Sequence, residues 1–481
     1  MSPSPVPDRR QGTGIAVTSA AVLHPAAATV TELDRVLRRG EPTLRPTPVP
    51  GAGLVVPAAH LDGFDLRSWA RSHCADPAGR DRLRRVAGRA TLPVRTACCV
   101  ALAACTAARL TEAEARDTSV VIAGNNLALG HQSRSAAAYA ADPATVRAGH
   151  LLDCFDTDAL GAVGEVTGCR GEGWPIGGSS AAGALALIHA TRMVAAGQAP
   201  RCLVVAPVND LSPVEIGAFV KAGAMTPVTA GGDAAAACRP FDESHDGIAV
   251  AQVAAAVLVE PASEAHRRGI RPLGRILGSG TSTDARRGTR PDTDGQVRAM
   301  RKALSDCGLA PSDIDYVNAH ATGSAVGDDS EAAALAEVFG AGGSTAFGST
   351  DAGSTAFGST AFGLTAFGLT AFGSTDAGST AVESTAAGAT GIDGPWVNST
   401  KALLGHGLGA AGLVEAVATL LQLAGGYCHA NPHLAKPVRT DLRFVTDTIT
   451  RAPLRTALSN SFAFSGINAS LVLGRAEEDC P

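Results

Sequence analysis

Residues 171–208 have the sequence GEGWPIGGSSAAGALALIHATRMVAAGQAPRCLVVAPV. A glycine-rich turn leads into an amphipathic helical stretch that ends near Gly197, and a short apolar run follows it. Ser180 lies where the turn becomes the helix, at a point where backbone N–H groups and the helix dipole converge. Taken alone, a serine in such a turn is most simply a helix cap. The order of turn, helix and apolar run predicts one unit of an α/β fold.

Similar units extend to both sides of this stretch. Apolar runs at 15–23 (IAVTSAAVL), 118–124 (TSVVIAG) and 252–260 (QVAAAVLVE) alternate with alanine-rich helical stretches, and a second series starts at residue 272 with PLGRILGSG. Two successive α/β series of similar length indicate an internal duplication. The predicted divisions are a loose N-terminal tail at 1–12, an N-terminal half at 13–265 and a C-terminal half at 266–476.

Residues 341–390 interrupt the second series. STAFG-like units repeat there, and glycine recurs at short intervals that oppose any helix or strand of useful length. We predict a low-complexity surface insertion that expanded by repeat slippage, with a substrate lid or docking loop as the alternative.

The composition is that of an ordinary globular protein, since hydrophobic residues make up 45% and charged residues 18% of the 481 residues. The net charge of −5 gives no indication of a nucleic-acid or membrane-surface binder. The eleven cysteines are scattered without metal-site spacing, so we expect buried thiols, no metal and a cytoplasmic location. No apolar run approaches the roughly 20 residues that a membrane-spanning helix needs. Residues 15–23 fit a buried strand better than a signal peptide.

Three further segments carry residues suited to a reactive site. They are VNAHATGSAVGDDSEAAAL (317–335), VNSTKALLGHGLGAAGLVEAVATLL (397–421) and NSFAFSGINASLVL (460–473). The first ends a strand at His320, and the second has Lys401 and His406 ahead of a Gly/Ala-rich helix. The third is a strand–turn–strand with Phe464 placed to gate a pocket. Each segment alone has a structural explanation, but their order and spacing together do not.

That combination closely resembles the β-ketoacyl-carrier-protein synthases, the ketosynthases of fatty-acid and polyketide assembly. NAHATGS is similar to the family's first histidine motif, KALLGHGLGAAG to its lysine–histidine motif, NSFAFSGINASLVL to its gating turn, and CRPFDESHDG at 238–247 to a further signature. The resemblance spans residues 13–474 apart from the repeat insertion. It implies a thiolase-like five-layer αβαβα fold made of two duplicated halves, a homodimer, and an acyl carrier protein as partner.

The resemblance also implies roles for single residues. These are His320 and His406 as the paired catalytic histidines, Lys401 with Glu331 as support for the first histidine motif, Thr322 and Ser324 along the pantetheine arm, and the N–H groups of Ser180 and Phe464 as an oxyanion hole. The substrate would be carried on the phosphopantetheine of the carrier protein, so no further cofactor is expected.

At Ser180 the sequence departs from the family, whose condensing members have a cysteine there. A thiol with a pKa of about 8.5 can become a thiolate at a helix N-terminus, whereas a serine hydroxyl cannot. Serine would also form an oxygen ester, a poorer acyl donor than the thioester that condensation needs. Decarboxylation of a malonyl thioester needs only stabilisation of the enolate that forms as carbon dioxide leaves, and two neutral histidines can donate to its oxygen.

We therefore expect a malonyl-carrier-protein decarboxylase, similar to the free-standing ketosynthases of polyketide β-branching cassettes with serine for cysteine in GGSSAAG. Two alternatives stay open: a Ser180-dependent acyltransferase or condensing synthase, and a non-catalytic partner like the chain-length factors. Other departures affect the motifs themselves. Ala321, Ala463 and Ser465 stand where the family has glycine, His245 stands where it has arginine, and AQVAA at 251–255 lacks the usual glycines.

Overall fold

The computed structural model describes residues 14–229, 232–340 and 392–476 of the chain. Its strands are β1 (Ile15–Leu23), β2 (Arg45–Val49), β3 (Leu54–Ala59), β4 (Ser119–Ala123), β5 (Gly173–Ile176), β6 (Cys202–Ala206), β7 (Val250–Ala251), β8 (Ala254–Pro261), β9 (Gly274–Thr283), β10 (Tyr316–Asn318), β11 (Trp396–Asn398), β12 (Tyr427–Cys428), β13 (Thr450–Arg451), β14 (Thr456–Ala463) and β15 (Ile467–Arg475). The predicted tail (1–12) and repeat insertion (341–390) lie outside the described residues.

The helices cover the faces of these strands. They are α1 (Val30–Arg39), α2 (Leu66–His73), α3 (Pro77–Ala87), α4 (Leu92–Ala107), α5 (Glu112–Arg116), α6 (Leu129–Ala141), α7 (His150–Asp153), α8 (Thr157–Thr167), α9 (Ala182–Ala195), α10 (Pro213–Lys221), α11 (Ala262–Arg267), α12 (Thr293–Cys307), α13 (Ala325–Phe339), α14 (Lys401–Leu404) and α15 (Ala411–Gly425).

The two halves of the chain arrange their strands in the same order. Neighbouring strands in the first half are β1, β8, β6, β4 and β5, and those in the second are β9, β15, β14, β10 and β11. In each half the first two pairings along this order are antiparallel and the last two are parallel. Residues 15–17 of β1 pair with residues 274–276 of β9, so the ten strands form one continuous sheet. The predicted α/β fold with two duplicated halves is confirmed.

The two halves of the sheet pack on opposite sides of α9 and α15, and further helices cover their outer faces, which gives five layers. On β8, Val257 faces the core around α9 and α15, whereas its neighbour Leu258 faces the core around α4 and α8. A third core lies between the second half of the sheet and the helices α12 and α13. Successive side chains of a strand point to opposite faces of the sheet. A strand that is covered on both faces therefore has apolar residues at consecutive positions. This explains the unbroken apolar stretch of β8.

The central layer consists of α9 and α15, which touch backbone to backbone. A Cβ atom added to Gly183 of α9 would lie 2.6 Å from the backbone N of Leu413. A Cβ atom added to Gly412 of α15 would lie 2.8 Å from the backbone N of Ala184. Glycine is needed at both positions because any side chain would force the helices apart. Since each helix follows one of the segments that carry Ser180 or His406, the contact brings these segments together.

The stretch Leu408–Gly425 is, within the described ranges, the one helical stretch long and apolar enough to cross a membrane, and 78% of it is buried inside the protein. It comprises α15 and the turn before it, and its burial is that of a core helix. Every cysteine that the structure describes is a free thiol, and all but Cys154 are buried. The cytoplasmic location stays a prediction.

We expect Gly412→Ala to lower the free energy of unfolding by roughly 1–3 kcal/mol, because the added methyl group overpacks the contact between α9 and α15. Chemical denaturation measures this change. Gly217→Ala on α10 is the matched control, since a Cβ atom there meets nothing within 4 Å among the described residues. The control should be neutral or slightly stabilising, because alanine favours a helix more than glycine does. Equal effects of the two substitutions would contradict the close packing.

Candidate active site

Ser180 lies in a strained turn between β5 and α9. Gly178 has a φ angle of 155° and Ser179 a φ angle of 51°, both outside the region that ordinary side chains prefer. The Asn125 side-chain oxygen accepts hydrogen bonds from the backbone N atoms of Gly178 and Ser179, each at 3.4 Å. The turn holds Ser180 half-buried immediately before the first turn of α9.

His406 reaches Ser180 from the other half of the chain. Its Nε2 lies 3.0 Å from Ser180 Oγ, and its Nδ1 accepts a hydrogen bond of 3.2 Å from the backbone N–H of Leu408. A neutral imidazole has one N–H and one acceptor nitrogen. Because Nδ1 is the acceptor, the proton of neutral His406 is on Nε2. His406 therefore donates a hydrogen bond towards Ser180.

His320 follows β10 and is held by a buried carboxylate. Glu331 on α13 accepts hydrogen bonds from the backbone N atoms of His320 at 2.9 Å and Ala321 at 2.7 Å. The rings of His320 and His406 lie 5.5 Å apart, centre to centre, at an angle of 81°. Asn460 on β14 donates a further hydrogen bond of 3.1 Å to Glu331. Sequence reasoning missed Asn460, although it begins the conspicuous NSF segment.

Both histidines are neutral at ordinary pH. Burial lowers the pKa of His320 well below its usual value, and the nearby charges of Lys401 and of a protonated His406 lower it further. Burial and the charge of Lys401 likewise lower the pKa of His406. Burial raises the pKa of Glu331 to about 7, against the opposing effect of its hydrogen bonds. The site therefore presents neutral imidazole donors rather than imidazolium ions.

Lys401 is buried and pairs directly with Glu415 on α15. The predicted support of the first histidine motif is therefore indirect: the ammonium acts on His320 and Glu331 through its charge. A second link runs through Ser399, whose hydroxyl donates to the backbone oxygen of Ala321 at 2.7 Å. Sequence reasoning missed Glu415, for which the available signal was a single charge in the apolar helix GLVEAVATLL.

Thr322 and Ser324 follow His320 in the chain and lie next to each other. Their hydroxyl oxygens are 2.9 Å apart, and Thr322 is buried whereas Ser324 is half-buried at the start of α13. The two hydroxyl groups are therefore neighbours at different depths below the surface. Their role stays a prediction. Among the residues described, no group of three or more histidine, cysteine or acidic side chains is arranged to hold a metal ion.

Phe464 forms the tip of the turn between β14 and β15 and is 39% exposed. Its ring lies 6.4 Å from the ring of Phe219 on α10. Ser465 adopts a φ angle of 66°, a left-handed conformation that glycine adopts more easily, which explains why glycine suits this position. The backbone N–H of Ser465 donates to the backbone oxygen of Gly288 at 2.8 Å, so the turn is tied to the loop after β9.

The comparisons with known families and proteins agree with this geometry. The chain matches profiles described as the N-terminal domain of beta-ketoacyl synthase, over residues 13–265, and the C-terminal domain, over residues 273–369 and 376–435. It is 27% identical over 399 residues to the polyketide biosynthesis malonyl-ACP decarboxylase PksF of Bacillus subtilis, covering 83% of this chain and 84% of that protein. It is 30% identical over 290 residues to 3-oxoacyl-[acyl-carrier-protein] synthase 2 of Coxiella burnetii, covering 60% of this chain and 58% of that one.

Solved structures show the same fold. The ishigamide ketosynthase/chain length factor superposes with a TM-score of 0.74 at 22% identity and covers 96% of this chain and 99% of its own. The type II polyketide ketosynthase of the AntDE:AntF complex, solved with its acyl carrier protein, superposes with a TM-score of 0.73 at 20% identity over the same shares. At these identities the likeness establishes the thiolase-like fold alone.

We expect Lys401→Met to lower the free energy of unfolding by roughly 3–5 kcal/mol, because it leaves Glu415 as a buried carboxylate without its counter-charge. The double substitution Lys401→Met with Glu415→Leu should recover most of this loss, since no buried charge remains. Denaturation of the two variants and the unchanged protein measures the coupling.

The exposed pair Arg301–Glu337, with 3.0 Å between Nη2 and Oε1, provides the control for the buried one. Arg301→Met should cost less than about 1 kcal/mol, because solvent screens an exposed pair. If the single Lys401 variant and the double variant lose the same stability, the two buried side chains are not coupled.

Proposed function

This chain belongs to the beta-ketoacyl synthase family, and we propose that it decarboxylates a malonyl group on the phosphopantetheine arm of an acyl carrier protein. The products are carbon dioxide and acetyl-carrier protein. In this reaction the bond between the α-carbon and the carboxylate breaks, and its electron pair moves towards the thioester oxygen as an enolate forms. A proton from water then adds to the α-carbon. The two histidines stabilise the enolate.

The hydrogen bond from the Leu408 N–H to His406 Nδ1 is the observation that carries this proposal. Because Leu408 donates to Nδ1, neutral His406 has its proton on Nε2, the nitrogen that faces Ser180 and the space in front of it. An N–H aimed at a developing negative charge in a buried site stabilises that charge without reorganisation. His320, also neutral and 5.5 Å away between ring centres, is the second donor.

The same arrangement disfavours Ser180 as a nucleophile. A serine hydroxyl attacks a thioester only when a base removes its proton. The nitrogen 3.0 Å from Ser180 Oγ carries the proton of the neutral ring and so has no lone pair that could accept the serine proton, and the other tautomer would become a cation on accepting it. Burial and Lys401 hold the pKa of His406 low, which opposes that cation. Ser180 therefore acts as a polar neighbour of the substrate rather than as an acyl carrier.

The relatives support the proposal in two ways. PksF, which matches over most of both chains, is named as a malonyl-ACP decarboxylase of polyketide biosynthesis. The AntDE:AntF structure contains an acyl carrier protein bound to its ketosynthase, and a carrier protein is the partner that we propose here. Thr322, which is buried, and Ser324, which is half-buried, are the hydroxyl groups that would line the phosphopantetheine arm.

We expect malonyl-carrier protein to become acetyl-carrier protein while the mass of the enzyme stays unchanged, as followed by intact-protein mass spectrometry. His406→Ala and His320→Ala should each reduce the rate at least about 100-fold, the usual cost of losing one donor to a developing oxyanion. Ser180→Ala should retain most of the rate. His266→Ala, an exposed histidine on α11, is the control and should leave the rate unchanged.

One observation favours the second candidate, a Ser180-dependent acyltransferase: the distance of 3.0 Å from Ser180 Oγ to His406 Nε2 fits a serine–histidine pair. Acyl mass on the enzyme that disappears in Ser180→Ala would establish this candidate and overturn decarboxylation without a covalent intermediate. Absence of both acetyl-carrier protein and acyl-enzyme would favour a non-catalytic partner.

We also propose that the protein is a homodimer, joined at the outer edge of β5. This strand ends the sheet and, in the described ranges, has no strand on its outer side. Trp174 on this strand is 48% exposed, and Leu151 of α7 and Phe155, two residues before α8, are 68% and 57% exposed. Leu160 of α8 packs on Gly173 of β5, which places α8 beside the strand. An open strand edge beside exposed apolar groups is suited to pairing with a second copy.

We expect light scattering to give twice the chain mass of 48.3 kDa for the unchanged protein. The double substitution Leu151→Glu with Phe155→Glu should shift it to the mass of one chain, because the charges would be buried in the interface. Val214→Glu on α10, at a site 69% exposed, is the control and should remain dimeric. A dimer that persists in the double variant would place the interface elsewhere.

A further inference from the structure

His245 is buried beside a carboxylate that shapes the active site. Its side chain is 6% exposed, and its Nδ1 lies 3.7 Å from Oδ2 of Asp328, whose side chain is fully buried. The residue belongs to the segment CRPFDESHDG (238–247), where the similar family motif has arginine. A permanent cation has thus been exchanged for one that can lose its charge near neutral pH.

Asp328 fixes the loop that follows His320. Its Oδ1 accepts hydrogen bonds from the backbone N atoms of Thr322 at 2.9 Å and Gly323 at 3.2 Å. Its Oδ2 accepts from the backbone N of Phe241 at 2.9 Å. Glu331 holds the two preceding residues in the same way, so two buried carboxylates determine the path of the chain from His320 to Gly323.

A buried carboxylate needs a cation or hydrogen bonds to offset its desolvation. Glu331 lies in the field of Lys401. The imidazole of His245 is the cation that lies against Asp328, and no other ion pair of Asp328 occurs within the described ranges. When His245 is protonated, its positive charge offsets the negative charge of Asp328. When it is neutral, the carboxylate is compensated by backbone N–H groups alone.

We propose that protonated His245 is a positioning residue, which holds Asp328 and thereby the loop after His320, so that the reaction slows as the pH rises above neutrality. The part that concerns the reaction rate rests on the proposed decarboxylation. The part that concerns the loop does not.

The acidic groups near His245 act in the same direction. Asp329 on α13 and Asp242 in its own segment add to the effect of Asp328, and together they raise the pKa of His245 against the effect of its burial. Two basic residues belong to the same hydrogen-bond network: the guanidinium of Arg239 donates to Ser244 Oγ, and the backbone N–H of Lys436 donates to Asp242.

The direction of the pH effect follows from this raised pKa. An imidazole whose pKa is higher in the folded than in the unfolded protein binds its proton more tightly in the folded state. The stabilisation is complete below the unfolded value of 6.5 and is lost as the pH rises through the raised folded value. The loop should therefore loosen on the basic side of neutrality.

Two substitutions of His245 distinguish the effect of its charge from the effect of its shape. His245→Arg restores a cation that does not titrate in this range, and His245→Gln retains a polar side chain without charge. Hydrogen–deuterium exchange of the peptide that contains residues 319–324, corrected for the intrinsic effect of pH, reports on the loop without any need for activity. His266→Gln, an exposed site on α11, is the control for a histidine replacement.

In the unchanged protein we expect protection of this peptide to fall several-fold between about pH 6 and about pH 8.5. His245→Arg should abolish the fall, and His245→Gln should show low protection at every pH. With malonyl-carrier protein, kcat should follow the same three patterns. Identical pH profiles in the unchanged protein, His245→Gln and His245→Arg would overturn the proposal.

A titration of the unchanged protein avoids dependence on how the arginine variant folds. The NMR signal of His245, assigned by its absence in His245→Gln, should titrate above the usual histidine value of 6.5. A signal that titrates below this value would overturn the proposal. If the exchange and NMR results are as expected but no acetyl-carrier protein forms, the decarboxylation proposal fails while the positioning role of His245 stands.

Discussion

The backbone contact between α9 and α15 is the constraint on which the site depends. Gly183 and Gly412 let these central helices approach until an added Cβ atom would lie 2.6 Å or 2.8 Å from the partner backbone. The segments before the two helices come from different halves of the chain, and the contact brings their ends together. Ser180 Oγ and His406 Nε2 are thereby 3.0 Å apart although 226 positions separate them in the chain. If the two helices lay farther apart, Ser180 and His406 would no longer be in contact, although both halves of the sheet would still be intact.

Around this contact, the protein places buried charges where they control backbone geometry rather than chemistry directly. Glu331 and Asp328 accept backbone N–H groups along the four residues that begin with His320. Lys401 pairs with Glu415 and acts on the histidines through its charge. Buried ion pairs contribute little to stability compared with apolar packing, but removing one partner is costly. Such charges therefore hold the site in one arrangement.

The consequence for chemistry is that the histidines remain neutral and one of them has a defined proton position. The positive end of the helix dipole would stabilise a thiolate at position 180, because a thiolate is an anion. An uncharged serine hydroxyl gains little from the same dipole. The donors that serve an enolate are unaffected by that exchange. With serine at position 180 and both histidines present, the site fits the proposed decarboxylation, which needs neutral donors and no nucleophile.

The sequence by itself determined the two α/β series, their duplication, and the order of the motifs, because strand and helix periodicity and glycine-rich turns are local properties. It also indicated Ser180, His320, His406, Lys401 and Glu331 through a family resemblance. It did not indicate that Lys401 pairs with Glu415, that Asn460 and Ser399 join the first histidine motif, or that Leu408 decides which nitrogen of His406 carries the proton. Those relations join residues that meet only once the helices have packed, and a hydrogen bond depends on distance and direction that no local pattern encodes.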